Sequence, residues 1–183
     1  MRYKSFGSGE QVRVIENGKI EFTSSNEIKN VTPEMVLWYF TNRTKERYQM
    51  WHQAHIDFKV IYKPESGHLG SIYYIKEKLE NGPTIDTKLL VVEATDESFA
   101  EKGLDRKLPN YIYHRVEATP TGTRMYNRGT FGSDIPILGR IQNFFIRNFM
   151  LKEDGLKACF QHLREEAENF SEFLPRLYAE GNK

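Results

Sequence analysis

The spacing of hydrophobic and polar residues along this 183-residue chain predicts a strand, two short helices, a run of strands and a long final helix. The first strand is expected over Ile20–Lys29. Thr32 and Pro33 then predict a helix start, because Thr is a preferred N-cap residue and Pro is favoured at the first helical position. That helix is expected to reach Asn42, and a second short helix is expected over residues 44–56.

Four or five further strands are expected, separated by turn-rich pieces such as PESGHLG and ENGP. They are predicted near residues 58–62, 71–79, 87–94, 110–118 and 123–132. Helical segments follow over residues 136–178, and Pro175 is expected to weaken or end the last one. An antiparallel sheet covered on one face by a helix is an α+β arrangement. This order matches the helix-grip fold, in which a curved sheet wraps the last helix around a cavity, as one domain over residues 1–183.

The composition is that of a globular protein, with 39% hydrophobic and 28% charged residues. A net charge of +1 gives no electrostatic case for nucleic acid as a partner. The single cysteine, Cys159, excludes a disulfide within the chain and fits a reducing compartment, so a cytoplasmic location is expected. Aromatic residues make up 13% of the chain, which suits a cavity for a small hydrophobic or aromatic molecule.

The most apolar stretch, IPILGRIQNFFIRNFML over residues 135–151, is too short to span a bilayer and contains Arg140 and Arg147. No transmembrane segment is therefore expected. The stretch is interpreted as a buried linker helix or a cavity lid, with an amphipathic helix on a membrane surface as the alternative. Its role stays open at this stage, as does the formation of a homodimer.

Several ionisable residues fall on apolar faces of the predicted elements. In the second helix, Tyr48, Trp51, His52 and His55 lie on one side. A buried histidine is commonly a core residue with satisfied hydrogen bonds, but two histidines beside Trp and Tyr weaken that explanation.

Strand alternation predicts two more inward groups. Over SIYYIKEKL, Tyr73, Ile75 and Glu77 share the apolar face, so Glu77 is expected to point into the cavity. An edge position or a buried ion pair with an arginine is the alternative. In YIYHRVEA, His114 shares a face with Ile112, and a plain core histidine is the alternative.

The last helix carries a carboxylate within its apolar stripe. Glu166 falls between Phe173 and Leu177 in projection, and His162 lies one turn away on the same side. A buried carboxylate is costly unless it is paired, protonated or bound to a metal. Imidazoles and carboxylates from three elements would suit Zn²⁺, and Mn²⁺ or Fe²⁺ accept the same ligand types. A buried His/Glu network without metal is the alternative.

Two stretches, RYQMWHQAHIDF and HLREEAENFSEFLPRLY, resemble those of the 2,4-diacetylphloroglucinol hydrolase family. The Gly-rich turn before SIYYIKEKL and the strand RMYNRGTFG are also similar, so the resemblance covers about residues 31–178. It implies the helix-grip fold and a Zn-dependent hydrolase that cleaves the carbon–carbon bond between an acyl group and a phenolic ring. In that family the metal is held by a His near the WH motif, a strand Glu, and a His and a Glu four residues apart on the last helix.

Carried over to this chain, the resemblance assigns metal binding to Glu77, His162, Glu166 and one of His52 and His55, between which the sequence does not choose. The chain is shorter than the characterised enzyme, and that enzyme's substrate-contacting residues are not matched here. The resemblance therefore supports metal binding by this chain more strongly than it supports a particular substrate.

The expected function is hydrolysis of a small acylated phenolic or related hydrophobic compound. Tyr48, Tyr73 and Tyr113 are the candidates for hydrogen bonds to ring hydroxyls, and His114 is the candidate general acid or base. A non-catalytic helix-grip protein that binds a hydrophobic ligand beside a metal is the alternative.

Overall fold

The structure, a computed structural model, describes residues 3–80, 82, 84–106 and 109–181. Within these residues nine strands form one antiparallel sheet. The strands are β1 (Tyr3–Gly7), β2 (Glu10–Val14), β3 (Ile20–Lys29), β4 (His55–Tyr62), β5 (Ile72–Lys78), β6 (Thr84–Ala94), β7 (Ser98–Gly103), β8 (Asn110–Thr119) and β9 (Gly122–Phe131). The helices are α1 (Pro33–Thr41), α2 (Lys45–Trp51), α3 (Leu138–Phe145) and α4 (Glu153–Gly181).

The sheet runs in the order β1-β2-β3-β9-β8-β7-β6-β5-β4. Register shifts between β4 and β5 and between β6 and β7 interrupt the regular pairing, and such irregularities bend strands locally. Helix α4 packs against β3 and α1, and its residues Phe170 and Leu174 are fully buried. The predicted α+β arrangement, an antiparallel sheet around a long C-terminal helix, is therefore confirmed.

Helix α1 begins as the sequence predicts, because the Thr32 hydroxyl accepts a hydrogen bond from the Met35 amide. Helix α2 also begins at a threonine cap but ends at Trp51, five residues before the predicted end. His52 already has extended backbone, and His55 is the first residue of β4, paired with Glu77 of β5. The interpretation of His52 and His55 as neighbours on one helix face is therefore wrong.

Strands β1, β2 and β7 were not predicted. In β7 the first four residues, 98–101, are all buried, so the strand lacks the inside–outside alternation that identifies a half-buried strand. The remaining strands agree with the predicted positions, although β4 and β6 each begin three residues earlier.

Pro175 was predicted to weaken or end the last helix, but α4 continues through it to Gly181, so Pro175 does not end the helix. A proline in a helix loses one backbone hydrogen bond. Here the residues after it are held by packing, since the Tyr178 ring lies 5.3 Å from Trp38 and its hydroxyl donates to Glu34. Tertiary contacts on both sides of Pro175 therefore outweigh the local loss.

The apolar segment 135–151 forms α3 and a following π-helical turn, Ile146–Met150. Its side chains are mostly exposed, with Ile137 at 75% and Phe149 at 62%, so the expectation of a buried linker helix is wrong. Asn143 fixes the segment by bonding to Ser133 and to the Asn17 carbonyl. Among the described residues, no helix has the length and apolar character needed to cross a membrane.

Candidate metal centre and cavity

A cavity lies between the inner face of the sheet and helix α4. Its volume is ≈ 110 Å³. An apolar cavity of ~150 Å³ is known to hold a benzene ring, so the two are of the same order. Its walls are mainly apolar and carry two separate groups of polar side chains. The first group comprises Tyr48, Glu77, His162 and Glu166, and the second comprises Arg43, Glu101, Asn110, His114 and Asn127.

Two side chains of the first group, His162 and Glu166, converge on one point with a third buried side chain, His55. His55 Nε2 lies 3.3 Å from His162 Nε2 and 3.2 Å from Glu166 Oε1, and His162 Nε2 lies 3.3 Å from the same oxygen. His55 comes from the start of β4, whereas His162 and Glu166 occupy successive turns of α4. These three residues are referred to below as the His/Glu triangle.

Glu77 extends the His/Glu triangle from the side of β5. Its Oε1 lies 3.8 Å from His55 Nε2 and accepts a hydrogen bond from the Tyr48 hydroxyl. The backbone pairing of His55 with Glu77 accounts for their closeness. The structure therefore places Glu77 next to His55, although Glu77 lies outside the cluster that His55 forms with His162 and Glu166.

The orientation of His55 is fixed by Tyr48. His55 Nδ1 donates to the Tyr48 carbonyl over 2.8 Å, and the two rings stack with centroids 4.1 Å apart. A proton held at Nδ1 leaves Nε2 as the nitrogen that faces the His/Glu triangle. A backbone carbonyl on the far nitrogen is a typical support for a metal-binding histidine.

His52 is directed elsewhere. Its Nδ1 accepts a hydrogen bond from the Ala54 amide over 3.0 Å, and its Nε2 lies 2.7 Å from Glu165 Oε2. Both ring nitrogens are thus occupied outside the His/Glu triangle. Glu165 is half-exposed and serves as the partner of His52.

Within the His/Glu triangle, His162 and Glu166 shift each other's pKa. Burial alone would raise the pKa of Glu166, but His162 and His55 outweigh it and hold that pKa well below its ordinary value. Burial alone would lower the pKa of His162, whereas Glu166 and the other nearby carboxylates raise it to about 9. In the protein without metal, His162 and Glu166 therefore form a buried ion pair near neutral pH.

The dimensions of the His/Glu triangle suit a tetrahedral metal ion. Ligand atoms placed about 2.0–2.1 Å from one Zn²⁺ lie about 3.3 Å from each other, and the observed separations are 3.2–3.3 Å. The donor set of imidazole nitrogens and carboxylate oxygens suits the same ion. His162 Nδ1 is buried without a hydrogen-bond partner among the described residues, so one expected supporting contact is missing.

Four members of the second polar group lie on the inner face of the sheet, and the fifth, Arg43, lies between α1 and α2. Arg43 donates to the Phe40 carbonyl and to Glu101, with which it forms a fully buried ion pair. His114 Nδ1 donates to Asn127 Oδ1 over 2.7 Å, and its ring stacks on Phe40 at 4.7 Å. Burial lowers the pKa of His114, so its ring is neutral and Nε2 carries a lone pair.

The three predicted tyrosines have different positions. Tyr48 lies in the cavity wall. Tyr73 points inward but packs against Arg43 and Phe58 and does not line the cavity. Tyr113 lies on the opposite face of β8 from His114, under the guanidinium of Arg128. Its proposed contact with a ligand in the cavity is therefore wrong, because neighbouring residues of a strand point to opposite faces.

Four polar residues of the cavity, Arg43, Glu101, Asn110 and Asn127, were missed by sequence reasoning. Glu101 lies in β7, a strand that the sequence pattern does not reveal, so strand alternation could not be applied to it. Arg43 follows α1 outside any periodic segment. Asn110 opens β8 next to a turn-rich piece, where asparagine is ordinary.

Comparison with known proteins identifies the fold. Ara h 8.0201 superimposes with a TM-score of 0.59 and 11% identity over 87% of this chain and 99% of that chain. Ginseng major latex-like protein 151 from Panax ginseng gives 0.62 and 9%, over 84% and 96%. A START superfamily protein from Mycobacterium smegmatis gives 0.56 and 10%, over 87% and 98%.

These solved structures belong to the START and birch-pollen-allergen-like helix-grip superfamily, and the chain has that fold. At such low identity the likeness concerns the fold alone. Neither the protein-family models nor the curated protein sequences give a match.

Proposed function

We propose that this helix-grip protein is a metal-dependent hydrolase, with Zn²⁺ as the metal, acting on a small acylated phenolic or related hydrophobic compound. The observation that carries the proposal is the His/Glu triangle, whose separations suit a tetrahedral ion. Two of its members, His162 and Glu166, line a largely apolar cavity. The resemblance of RYQMWHQAHIDF and HLREEAENFSEFLPRLY to acylphloroglucinol hydrolases supports the same reaction class.

The residues that would hold the metal are His55, His162, Glu166 and Glu77. When bound, Zn²⁺ would polarise an acyl carbonyl and lower the pKa of a water molecule. Tyr48 serves the site twice, because its carbonyl orients His55 and its hydroxyl holds Glu77. Of the two histidines left open by the sequence, we assign the metal to His55, since both nitrogens of His52 are engaged elsewhere.

The proposed reaction consumes one water molecule. The water oxygen adds to the acyl carbonyl carbon, the bond from that carbon to the ring breaks, and its electron pair stays on the ring. The ring carbon then takes a proton, which gives a carboxylic acid and the deacylated phenol. His114 is suited to carry that proton, because it is neutral and its Nε2 has no hydrogen-bond partner among the described residues. The Nε2 lone pair can take the proton that the water loses and then give it to the ring carbon. The apolar walls would exclude bulk water.

The second candidate function is non-catalytic binding of a hydrophobic ligand. It is favoured by the number of protein ligands, since four side chains leave less room for a reacting water than the usual three of a catalytic zinc. Under this proposal the metal would orient the ligand or stabilise the fold.

The test combines metal content with turnover. Protein purified without chelator should contain about one zinc per chain, and incubation with acylated phenols should release a carboxylic acid. His162→Ala and Glu166→Ala should lose both properties. If the protein contains zinc but turns over none of a broad panel of acylated phenols, the non-catalytic ligand-binding function is favoured. If it neither retains nor rebinds zinc, the His/Glu triangle is a hydrogen-bonded network without metal.

A further inference from the structure

The second polar group of the cavity contains hydrogen-bond acceptors that lack donors. Asn110 is 8% exposed, and its Oδ1 is buried without a hydrogen-bond partner among the described residues. Glu101 uses Oε1 for Arg43, and no donor within the described parts of the chain reaches its Oε2. His114 has its proton at Nδ1, so its Nε2 is a further acceptor.

These acceptors occupy neighbouring positions on the inner face of the sheet. Asn110 and His114 lie on β8 on either side of Ile112, and Glu101 of β7 lies directly opposite Ile112. Directly paired residues have Cβ atoms about 4.5–5.5 Å apart, and diagonal neighbours about 7–8 Å. Glu101 and Asn110 are diagonal neighbours and therefore lie within the span of one aromatic ring and its substituents.

The absence of a side chain at Gly103 leaves room for the Asn110 amide. A side-chain carbon at Gly103, the residue adjacent to Lys102 at the end of β7, would lie 2.4 Å from Asn110 Oδ1. Any larger residue at 103 would push the amide out of its position. Gly103 thus leaves room for the Asn110 amide, whose oxygen accepts no hydrogen bond from the described residues.

The cation of this region does not supply the missing donors. Arg43 is committed to the Phe40 carbonyl and Glu101, and the rings of Phe58, Tyr73 and Phe99 lie within 5.0–5.5 Å of its guanidinium. Buried acceptors without donors are energetically unfavourable. A ligand with hydroxyl groups would donate the missing hydrogen bonds.

We propose that Glu101 and Asn110 form a hydroxyl-binding subsite, which selects an aromatic ligand carrying hydroxyl donors on the part of the ring remote from the His/Glu triangle. Arg43 is a positioning residue, because it holds Glu101 in place. The proposal deepens the proposed function by fixing the substrate class, and it rests on that function only for the placement of the acyl group at the His/Glu triangle. Selection of the hydroxyl requires the cavity alone.

The experiment measures binding in metal-free protein, so that it does not depend on turnover. Trp51 lines the cavity, and a Trp38→Phe background leaves it as the fluorescent reporter. The ligands are pairs in which a methyl group replaces a hydroxyl of similar size: phenol and toluene, 4-hydroxyacetophenone and 4-methylacetophenone, 2-naphthol and 2-methylnaphthalene. We expect the hydroxyl compound of at least one pair to bind about tenfold more tightly or better.

Asn110→Leu is the decisive variant, because it removes an acceptor that has no hydrogen-bond partner among the described residues. Its Tm should equal or exceed that of the parent, while the preference for the hydroxyl compound should fall to about threefold or less. Ile112→Leu, on the same face of β8, is the matched control and should keep the preference.

Three results would overturn the subsite: no hydroxyl preference in the parent, an unchanged preference in Asn110→Leu, or a lower Tm of Asn110→Leu that reveals a structural role. If the preference holds but acylated phenols are not hydrolysed, the subsite stands and the proposed hydrolase fails.

Discussion

His55 Nε2 lies 3.3 Å from His162 Nε2, although the two residues are 107 positions apart and belong to a strand and a helix. Two imidazole nitrogens at this distance need a proton or a cation between them, because two lone pairs repel each other. In the metal-free protein the proton of His162, shared with Glu166, meets this need. A bound metal ion would meet it with better geometry, since Glu166 Oε1 is equally close to both nitrogens.

Zinc affinity should separate the two candidate histidines. We expect His55→Ala to weaken binding more than the roughly 10–100-fold that follows loss of a supporting contact. His52→Ala, the matched control, should change affinity only a few-fold, because His52 bonds to Glu165 and Ala54 instead. Competition with a chromogenic chelator measures both. Equal losses for the two variants would contradict the assignment of His55.

Zinc binding should strengthen as pH rises. In the metal-free protein the pKa of His162 is raised to about 9, whereas a metal-binding imidazole must be neutral. Below that pKa one proton has to leave, so the association constant should rise about tenfold per pH unit up to about pH 9 and then level off. Calorimetry in buffers of different ionisation enthalpy should detect about one released proton near pH 7. Release of none would refute the ion pair.

Removing the Tyr48 hydroxyl should destabilise the fold. In Tyr48→Phe the buried carboxylate of Glu77 loses its donor, which costs about 1–3 kcal/mol of unfolding free energy. Saturating zinc should recover part of this loss if Glu77 is a ligand. Urea denaturation with and without zinc measures the effect, and Tyr113→Phe, on the outer face, should stay within about 0.5 kcal/mol of the parent.

The ion pair of Arg43 and Glu101 should respond differently to single and double substitution. Arg43→Met leaves a buried carboxylate unpaired and should cost about 3–5 kcal/mol of unfolding free energy. The double variant Arg43→Met/Glu101→Leu should recover most of that loss, because replacing both ions by apolar groups is often neutral or stabilising. Additive losses in denaturant titrations would show that the charges are not coupled.

The role of His114 should appear in kcat and not in metal content. If His114 transfers the proton to the ring, His114→Asn should lower kcat about 10²–10⁴-fold, with one zinc retained per chain. His68→Asn, in the loop between β4 and β5, is the control and should leave kcat unchanged. A kcat for His114→Asn within threefold of the parent would argue for a packing role against Phe40.

The sequence by itself determined which way certain side chains point. The 3.6-residue period of α4 placed Glu166 in the buried stripe beside Phe170 and Phe173, and the two-residue period of β5 placed Glu77 inside the sheet. These directions are local properties of a helix or a strand, so the pattern alone reveals them. The α+β arrangement followed from the order of the same periodic segments.

Only the tertiary structure decided which of these inward groups meet. His55 and not His52 joins the His/Glu triangle because pairing of β4 with β5 ends helix α2 early, and that competition is between distant segments. Arg43 enters the cavity from a non-periodic position, and the Asn110 amide has room only because β7 presents Gly103 beside it. Whether side chains of different elements meet depends on strand register and on the connections between elements. The hydrophobic period of a single helix or strand contains neither kind of information.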